Sequence, residues 1–366
     1  MKKTLNLISI AGFFIIVVML GGFTVFRARG DLGRIFSSGA DAKQTASDLA
    51  QGYFPLDTNW KSLHTMITRA TTGSEINGIY SDDQRLMRVY PDYDKGRAFS
   101  NIGLINNFAK RADAPISLIL APTAAGVYQS GLPDFIDNTN QLEIINSLYY
   151  KLGKGVGAID VFYPLYSAKA DYIYYRTSDC WTSLGAYYAY EDLIRQLGAT
   201  PFDLSNYDLE YADESYYGEL YQQLCFKDCE QDAINLFRSK NGSTVDKVTL
   251  YDGDEEIEAR SVYFKSALKT DEKKDVFLKG DSFTRAEIDT GSQTNKRLLL
   301  IKGTYANTMI PFLLPHYKHI TVIDPDRLKA EGKTLSDAVD YDAYDRILVL
   351  YDCVQFSKTD SFDILR

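Results

Sequence analysis

The sequence predicts an α/β protein whose mostly parallel sheet is covered by helices on both faces. Three short apolar runs near its end, residues 298–301, 320–323 and 347–350, are separated by stretches long enough for helical connections. Such alternation makes neighbouring strands parallel, and parallel sheets bury both faces under helices. An earlier apolar run, 116–121, stops at Pro122 and precedes helical spacing over 138–152, which repeats the pattern.

In chain order, Met1, Lys2 and Lys3 lead into an uncharged run from Thr4 to Phe26. About 20 such residues cross a bilayer as a helix, and no small-residue cleavage site follows, so 1–26 reads as a retained signal anchor, with a cleaved signal peptide as the alternative. Lys2 and Lys3 compete with Arg27, Arg29 and Arg34 in setting orientation. The default places the body outside, which makes the expected location the cell membrane, single-pass, with an extracytoplasmic domain.

Residues 27–75, polar and dotted with glycine, read as a stalk and lead-in with a short amphipathic helix at 60–69. The body, 76–366, continues past 116–121 and 138–152 with strands expected at 158–161 and 173–175. Ala186, Tyr190, Leu193 and Leu197 then recur at helical spacing, with Thr182 or Ser183 to cap that helix and Gly198 to end it. Residues 202–276 are acidic and rich in tyrosine, and read as an inserted subdomain or lid. Asn241-Gly242 and Asp252-Gly253 mark turns around a strand at 245–251. The last clear unit is a strand at 298–301, a sharp turn at 302–304 and a helix over 305–312.

Of 366 residues, 45% are hydrophobic and 24% charged, enough to bury a sizeable core. A formal charge of -9 offers no basic footprint for phosphates, which excludes nucleic acid as a partner. The four cysteines, 180, 225, 229 and 353, lack paired Cys-x-x-Cys spacing, so no zinc site is expected. Cys225 and Cys229 are near enough to pair in an oxidising compartment, and free buried thiols remain equally open.

Two segments carry the functional reading. One is Tyr174-Tyr175-Arg176-Thr177-Ser178-Asp179-Cys180-Trp181-Thr182, running into Gly185-Ala186-Tyr187; the other is Leu300-Ile301-Lys302-Gly303-Thr304-Tyr305-Ala306-Asn307. The first resembles the segment that names the DHHW family, Arg-Thr before Asp-His-His-Trp. The second resembles that family's Ile-Lys-Asp-Ser-Tyr-Ala-Asn, whose Ser is the expected nucleophile. Phe277-Leu278-Lys279-Gly280-Asp281 is similar to its Phe-Leu-Gly-Gly-Asn block. The resemblance runs from about Asn77 to Phe356. It implies a three-layer α/β/α, SGNH-hydrolase-like (flavodoxin-like) fold related to the alginate O-acetylation proteins. It also implies a triad of Ser, the second His and the Asp two residues before it, with the Asn as oxyanion donor.

Here the triad slots hold Thr304, Cys180 and Ser178, and the donor slot holds Asp281. A hydroxyl just past a strand and at a helix start can act as a nucleophile or cap the helix. A His base contributes about 10²–10⁴-fold, and neither a neutral thiol nor a serine replaces it. Cys180 as a nucleophile in its own right would need a lowered pKa, from a helix N-terminus or from Arg176. Asp281, acceptor-only when ionised, would repel a developing oxyanion. Asp179 is the residual candidate base, one residue off the slot. His64, His316 and His319 lie outside the motifs and are expected to cap or pack.

Arg176, Trp181, Tyr305 and Asn307, with Asp281, are the expected substrate-binding residues, and aromatic faces suit sugar rings. The apolar N-terminal run and the exchanged slots together are read as a membrane-anchored protein without acyl-transfer chemistry, and the resemblance implies its ligand and partner. The protein would bind a cell-surface polysaccharide, or assist its O-acetylation, beside a membrane-bound O-acyltransferase, with no cofactor and no metal. Two alternatives stand against it. One is an active O-acetyltransferase or acetylesterase using Thr304; the other is a structural envelope protein whose cleft is filled with side chains.

Overall fold

The computed structural model describes residues 15, 18–37, 42–53, 57–72, 75–82, 84–226, 229–240 and 245–366. The anchor expected at 1–26 falls largely outside that set, as does the Asn241-Gly242 turn. No helix among the described residues is long and apolar enough to cross a membrane.

The chain divides into two compact units. The smaller, 1–73 with 223–227, is helical over Gly33–Ser37, Ala42–Tyr53 and Asp57–Thr72, so the helix expected at 60–69 extends further at both ends. Within it Thr65 Oγ1 donates to the Leu224 carbonyl at 2.6 Å, and Arg69 lies over the Phe226 ring.

The larger unit, 74–222 with 228–366, is built on an eight-stranded sheet. After a small antiparallel sheet of β1 (Glu75–Ile76), β2 (Ile79–Ser81) and β3 (Leu86–Arg88), the main strands begin with β4 (Ile116–Ala121) and β5 (Val156–Ile159). A separate ribbon, β6 (Tyr207–Tyr216) and β7 (Asp232–Ser239), intervenes. The main sheet resumes with β8 (Val245–Asp252), β9 (Glu255–Ala259), β10 (Arg285–Thr290), β11 (Arg297–Lys302), β12 (His319–Ile323) and β13 (Arg346–Asp352). Its order is β5-β4-β13-β11-β12-β10-β8-β9. The first five strands are parallel, and the last three join antiparallel.

Alternation along the strands separates two cores. Ile119, Leu298, Leu300, Ile320, Val322, Leu348 and Leu350 pack under the Ser183–Gln196 and Ala306–Leu313 helices. Leu118, Leu120, Leu299, Ile301, Ile347 and Val349 pack on the other face under Lys95–Phe108, Gln141–Tyr149 and Cys353–Lys358. Three layers result, as expected. The near-continuous burial of the central strands explains why their sequence reads as unbroken apolar runs.

Three local expectations change. The strand read at 158–161 is β5, two residues earlier. Residues 173–175 form no strand: they belong to a loop closed by a Tyr174–Trp181 bridge and by Thr182 N–H donating to the Ile173 carbonyl at 2.9 Å. The segment 202–276 is divided. Its β6–β7 ribbon stands apart from the sheet, while β8 and β9 extend the sheet itself through a tight turn at Gly253, φ +59°. The helix after the first motif is capped by Thr182 and followed by Gly198, φ +75°, as its spacing predicts.

Candidate functional site

The carboxyl ends of β4, β11, β12 and β13 lie on one edge of the sheet, where an open parallel sheet collects ligands. β11 ends at Lys302, and the chain turns through Gly303, whose N–H donates to the Leu350 carbonyl at 2.7 Å. A Cβ at 303 would stand 2.5 Å from Gln355 Oε1 and 2.8 Å from the Tyr351 ring, so only glycine fits. That turn presents Thr304 at the mouth of two neighbouring cavities, of about 630 Å³ and 210 Å³. An open cavity here stands against the reading of a filled cleft.

Thr304 does not cap the helix. Its backbone N–H donates to Gln355 Oε1 at 3.1 Å, and its hydroxyl reaches Asp281 Oδ2 at 3.5 Å. Asp281 is held by a turn through three consecutive left-handed residues, Leu278 (φ 48°), Lys279 (φ 61°) and Gly280 (φ 65°). Its carboxylate bonds the buried Lys302 ammonium and accepts from Asn307 Nδ2 at 3.3 Å. Burial works to raise its pKa, but the Lys302 charge and the Asn307 amide overcome this and hold it below the ordinary carboxylate value. Asp281 is therefore an anion and a weak base.

The first motif reaches the same cleft through Trp181. The indole is fully buried, lies 5.0 Å from the Tyr305 ring, and donates from Nε1 to the Tyr305 carbonyl at 2.9 Å. Tyr174 donates to the Pro122 carbonyl at 2.7 Å beyond the end of β4. The loop is held by Asp232, which sequence reading missed: this buried carboxylate accepts from the Arg176 and Thr177 N–H groups and from the Thr177 and Tyr172 hydroxyls. Asp232 lies on β7, far from the motif in sequence, so no spacing signal marks it.

Cys180 is 3% exposed, and burial pushes its thiol up to about 12, which leaves it protonated and unreactive at neutral pH. Cys180 is thus a small buried side chain and not a nucleophile in its own right. Ser178, equally buried, donates to Glu219 Oε1 at 3.1 Å and accepts from Lys274 Nζ at 2.7 Å. Lys274 and Glu219 form an ion pair at 3.1 Å. Burial, the largest single influence, works to lower the Lys274 pKa, but the Glu219 charge and hydrogen bond with the other neighbouring groups together outweigh it and raise it, so the group stays cationic and is no base. An ion pair absent from the motifs thus sits against the slot the family fills with Asp.

Asp179 does face the larger cavity, with Thr304 and Tyr305. Its Oδ2 accepts from the Tyr90 hydroxyl, its backbone N–H donates to Glu219 at 2.7 Å, and its Oδ1 has no partner. Burial pushes its pKa up to about 7, with Asp352 and Glu219 adding to the rise. Asp352, also lining the cavity, is raised by burial to about 6 while its Oδ1 accepts from the Val354 and Gln355 N–H groups. Arg176 is not among the cavity's lining residues; it stacks over Tyr172 and lies 3.6 Å from Glu230.

The histidines lie elsewhere. His316 contacts the Tyr190 hydroxyl at 2.8 Å and is depressed by burial to about 4. His319 bonds Asp289 and Thr321 on the sheet, and His64 is exposed in the smaller unit. All four cysteines are buried as thiols rather than joined in disulfides, Cys225 and Cys229 included. Among the described residues no group of three or more His, Cys, Asp or Glu is arranged to hold a metal.

Comparison with solved structures places this arrangement among relatives of low identity. A DHHW family protein from Eubacterium siraeum is 20% identical, with TM-score 0.61, covering 79% of this chain and 95% of that one. Bacillus cereus PatB1, solved with a sulfonyl adduct, is 17% identical with TM-score 0.66, covering 79% of this chain and 99% of that one. PatB1 without that adduct gives 18% and 0.66, with 78% and 98% covered. These likenesses establish the fold. No curated protein matches the sequence. The family model described as DHHW protein matches residues 61–323, most of the chain and both motifs, and the chain belongs to the DHHW family.

Proposed function

We propose that this protein binds a cell-surface polysaccharide and assists its O-acetylation without performing acyl transfer itself. In this reading the N-terminal segment holds the domain at the outer face of the membrane, beside a membrane-bound O-acyltransferase. One observation carries the loss of chemistry. The Thr304 hydroxyl reaches an ionised carboxylate whose basicity Lys302 suppresses, and among the described residues no histidine lines the cavities beside it. A triad loses up to about 10⁶ in turnover when its members go, because they act as a unit. The family membership and the lined cavity beside Thr304 support retained binding.

A fluorophosphonate or sulfonyl fluoride probe tests this reading, followed by intact mass and by hydrolysis of p-nitrophenyl acetate. The wild type is expected to match Thr304→Ala in both. Turnover that depends on Thr304, or an adduct on its hydroxyl, would overturn the proposal.

A second reading, an active O-acetyltransferase or acetylesterase, has one observation in its favour: Thr304 is exposed and within 3.5 Å of a carboxylate acceptor. The same assays decide it, and an Asp281→Asn variant that loses measured turnover would identify the base.

A further inference from the structure

The helix Asp57–Thr72 is packed inside out. Ser62 and Thr65 are each 2% exposed, whereas Trp60, Leu63, Met66 and Ile67 are 45% to 59% exposed. At about 3.6 residues per turn the four apolar side chains share one stripe, and Ser62, Thr65 and Arg69 share another side. Thr65 bonds the Leu224 carbonyl and Arg69 lies over the Phe226 ring, so these contacts fix the stripe outward. A surface helix ordinarily does the reverse, and clustered apolar side chains on a surface mark a contact with protein or membrane.

Size, tether and charge name the occupant. Trp60 and Ile67 stand about 10 Å apart along the axis, so the stripe offers a fraction of the about 1,200 Å² that a stable protein interface buries. A bilayer sets no such minimum once the chain is tethered to it, because the tether raises the effective concentration. Thirty residues separate Asp57 from Phe26, the end of the uncharged run, and the helices Gly33–Ser37 and Ala42–Tyr53 shorten that connection. Val18, Met19, Phe23, Val25 and Phe26 in the run are exposed as well, and in the anchored reading lipid surrounds them. Residues 27–72 carry six Lys or Arg against four Asp, a formal charge of +2 in a chain of -9. An anionic lipid surface attracts this segment and repels the acidic remainder. Trp60 and Lys61, at one border of the stripe, are residue types that settle at headgroup level.

Resting on the membrane-anchored reading above, we propose that the helix Asp57–Thr72 lies in the plane of the membrane interface, its stripe of Trp60, Leu63, Met66 and Ile67 set among the headgroups and upper acyl chains of an anionic bilayer. The helix lies on the membrane and does not span it: it has 16 residues, and no described helix is long and apolar enough to cross. Residues 27–72 are then a second membrane contact, and not a stalk that holds the chain away from the lipid.

Fluorescence tests this. The chain has two tryptophans and Trp181 is fully buried, so a signal that depends on the quencher comes from Trp60. The full chain is reconstituted into vesicles of equal phosphatidylcholine and phosphatidylglycerol, with and without bromine on the upper acyl chains, and floated to recover what the vesicles hold. Brominated lipid is expected to quench the emission, and Trp60→Phe to abolish that quenching. Leu63→Ser with Ile67→Ser should remove most of it at an unchanged thermal midpoint, because both side chains are exposed. A chain that floats with the vesicles, but whose Trp60 ignores bromine and is quenched by aqueous acrylamide, overturns this inference and leaves the anchor standing. Trp60 shielded from both quenchers means that protein, such as a second copy of the chain, covers the stripe, which overturns it too. A chain that does not float overturns the anchor together with the inference that rests on it.

Discussion

Lys302 Nζ stands 3.1 Å from Asp324 Oδ2 and bonds Asp281 at the same time, with the lysine side chain 1% exposed. One buried cation at the end of β11 thus neutralises two acids from different elements, and it fixes the anion that faces Thr304. Removing one partner of a buried pair leaves uncompensated charge and costs about 3–5 kcal/mol. Asp281 is half-exposed and contributes less, so Lys302→Met is expected to lose about 3 kcal/mol in urea unfolding at pH 7. Asp324→Asn in that background should recover part of the loss. An unchanged denaturation midpoint for Lys302→Met would contradict this account.

Lys279 has φ 61°, in the middle of the left-handed turn that presents Asp281, at a position where the resembling family block has glycine. Non-glycine residues in that conformation cost about 1–2 kcal/mol, partly offset by the greater entropy glycine loses on folding. Lys279→Gly is therefore expected to raise stability by up to about 1 kcal/mol, read as a higher thermal midpoint. A drop in the midpoint would mean that the side chain contributes more than the strain removes.

Asp179 and Asp352 give the fold a defined pH response. Both pKa values are raised in the folded protein, to about 7 and about 6, with burial the leading cause. The folded state holds these protons more tightly than the unfolded chain does. Their stabilising contribution is complete below the ordinary carboxylate pKa near 4 and disappears as pH rises through about 6 to 7. Asp179→Asn removes one of these ionisations while keeping an acceptor for Tyr90. Its thermal midpoint relative to wild type should rise by about 2–5 °C between pH 4.5 and pH 8. A constant difference across that range would contradict the buried ionisation.

How much of this was legible depends on where each residue gets its environment. The 116–121, 298–301 and 347–350 runs are buried on both faces, so hydrophobicity alone marks them. β5 is an edge strand whose middle residues, Gly157 and Ala158, are exposed, and it reads two residues out of place. β8 and β9 carry alternating polar residues at the far edge of the sheet, and their acidic composition resembles that of a lid. Thr304, Asp281, Asn307 and Trp181 converge as the motifs implied. Lys274, Glu219, Asp232, Tyr90 and Asp352 come from five separate segments, and their meeting is set by the tertiary fold. Arg176 was singled out from its neighbours in sequence, but its side chain turns to Tyr172 and Glu230.

The Lys274–Glu219 pair decides whether chemistry can be restored. Putting back the family's residues gives Thr304→Ser, Cys180→His, Ser178→Asp and Asp281→Asn. Lys274 Nζ, already 2.7 Å from Ser178 Oγ, would then pair with the new carboxylate and compete with the imidazole that carboxylate must orient. The fourfold variant is accordingly expected to hydrolyse p-nitrophenyl acetate no faster than wild type. Adding Lys274→Ala frees the aspartate and opens space beside residue 180, and turnover should then rise by about 10²-fold, the lower end of what a general base supplies. The rise must vanish on replacing the introduced serine by alanine. Equal activity in the fourfold and fivefold variants would show that the lysine does not guard the site, and that the exchanged motif residues alone account for the missing chemistry.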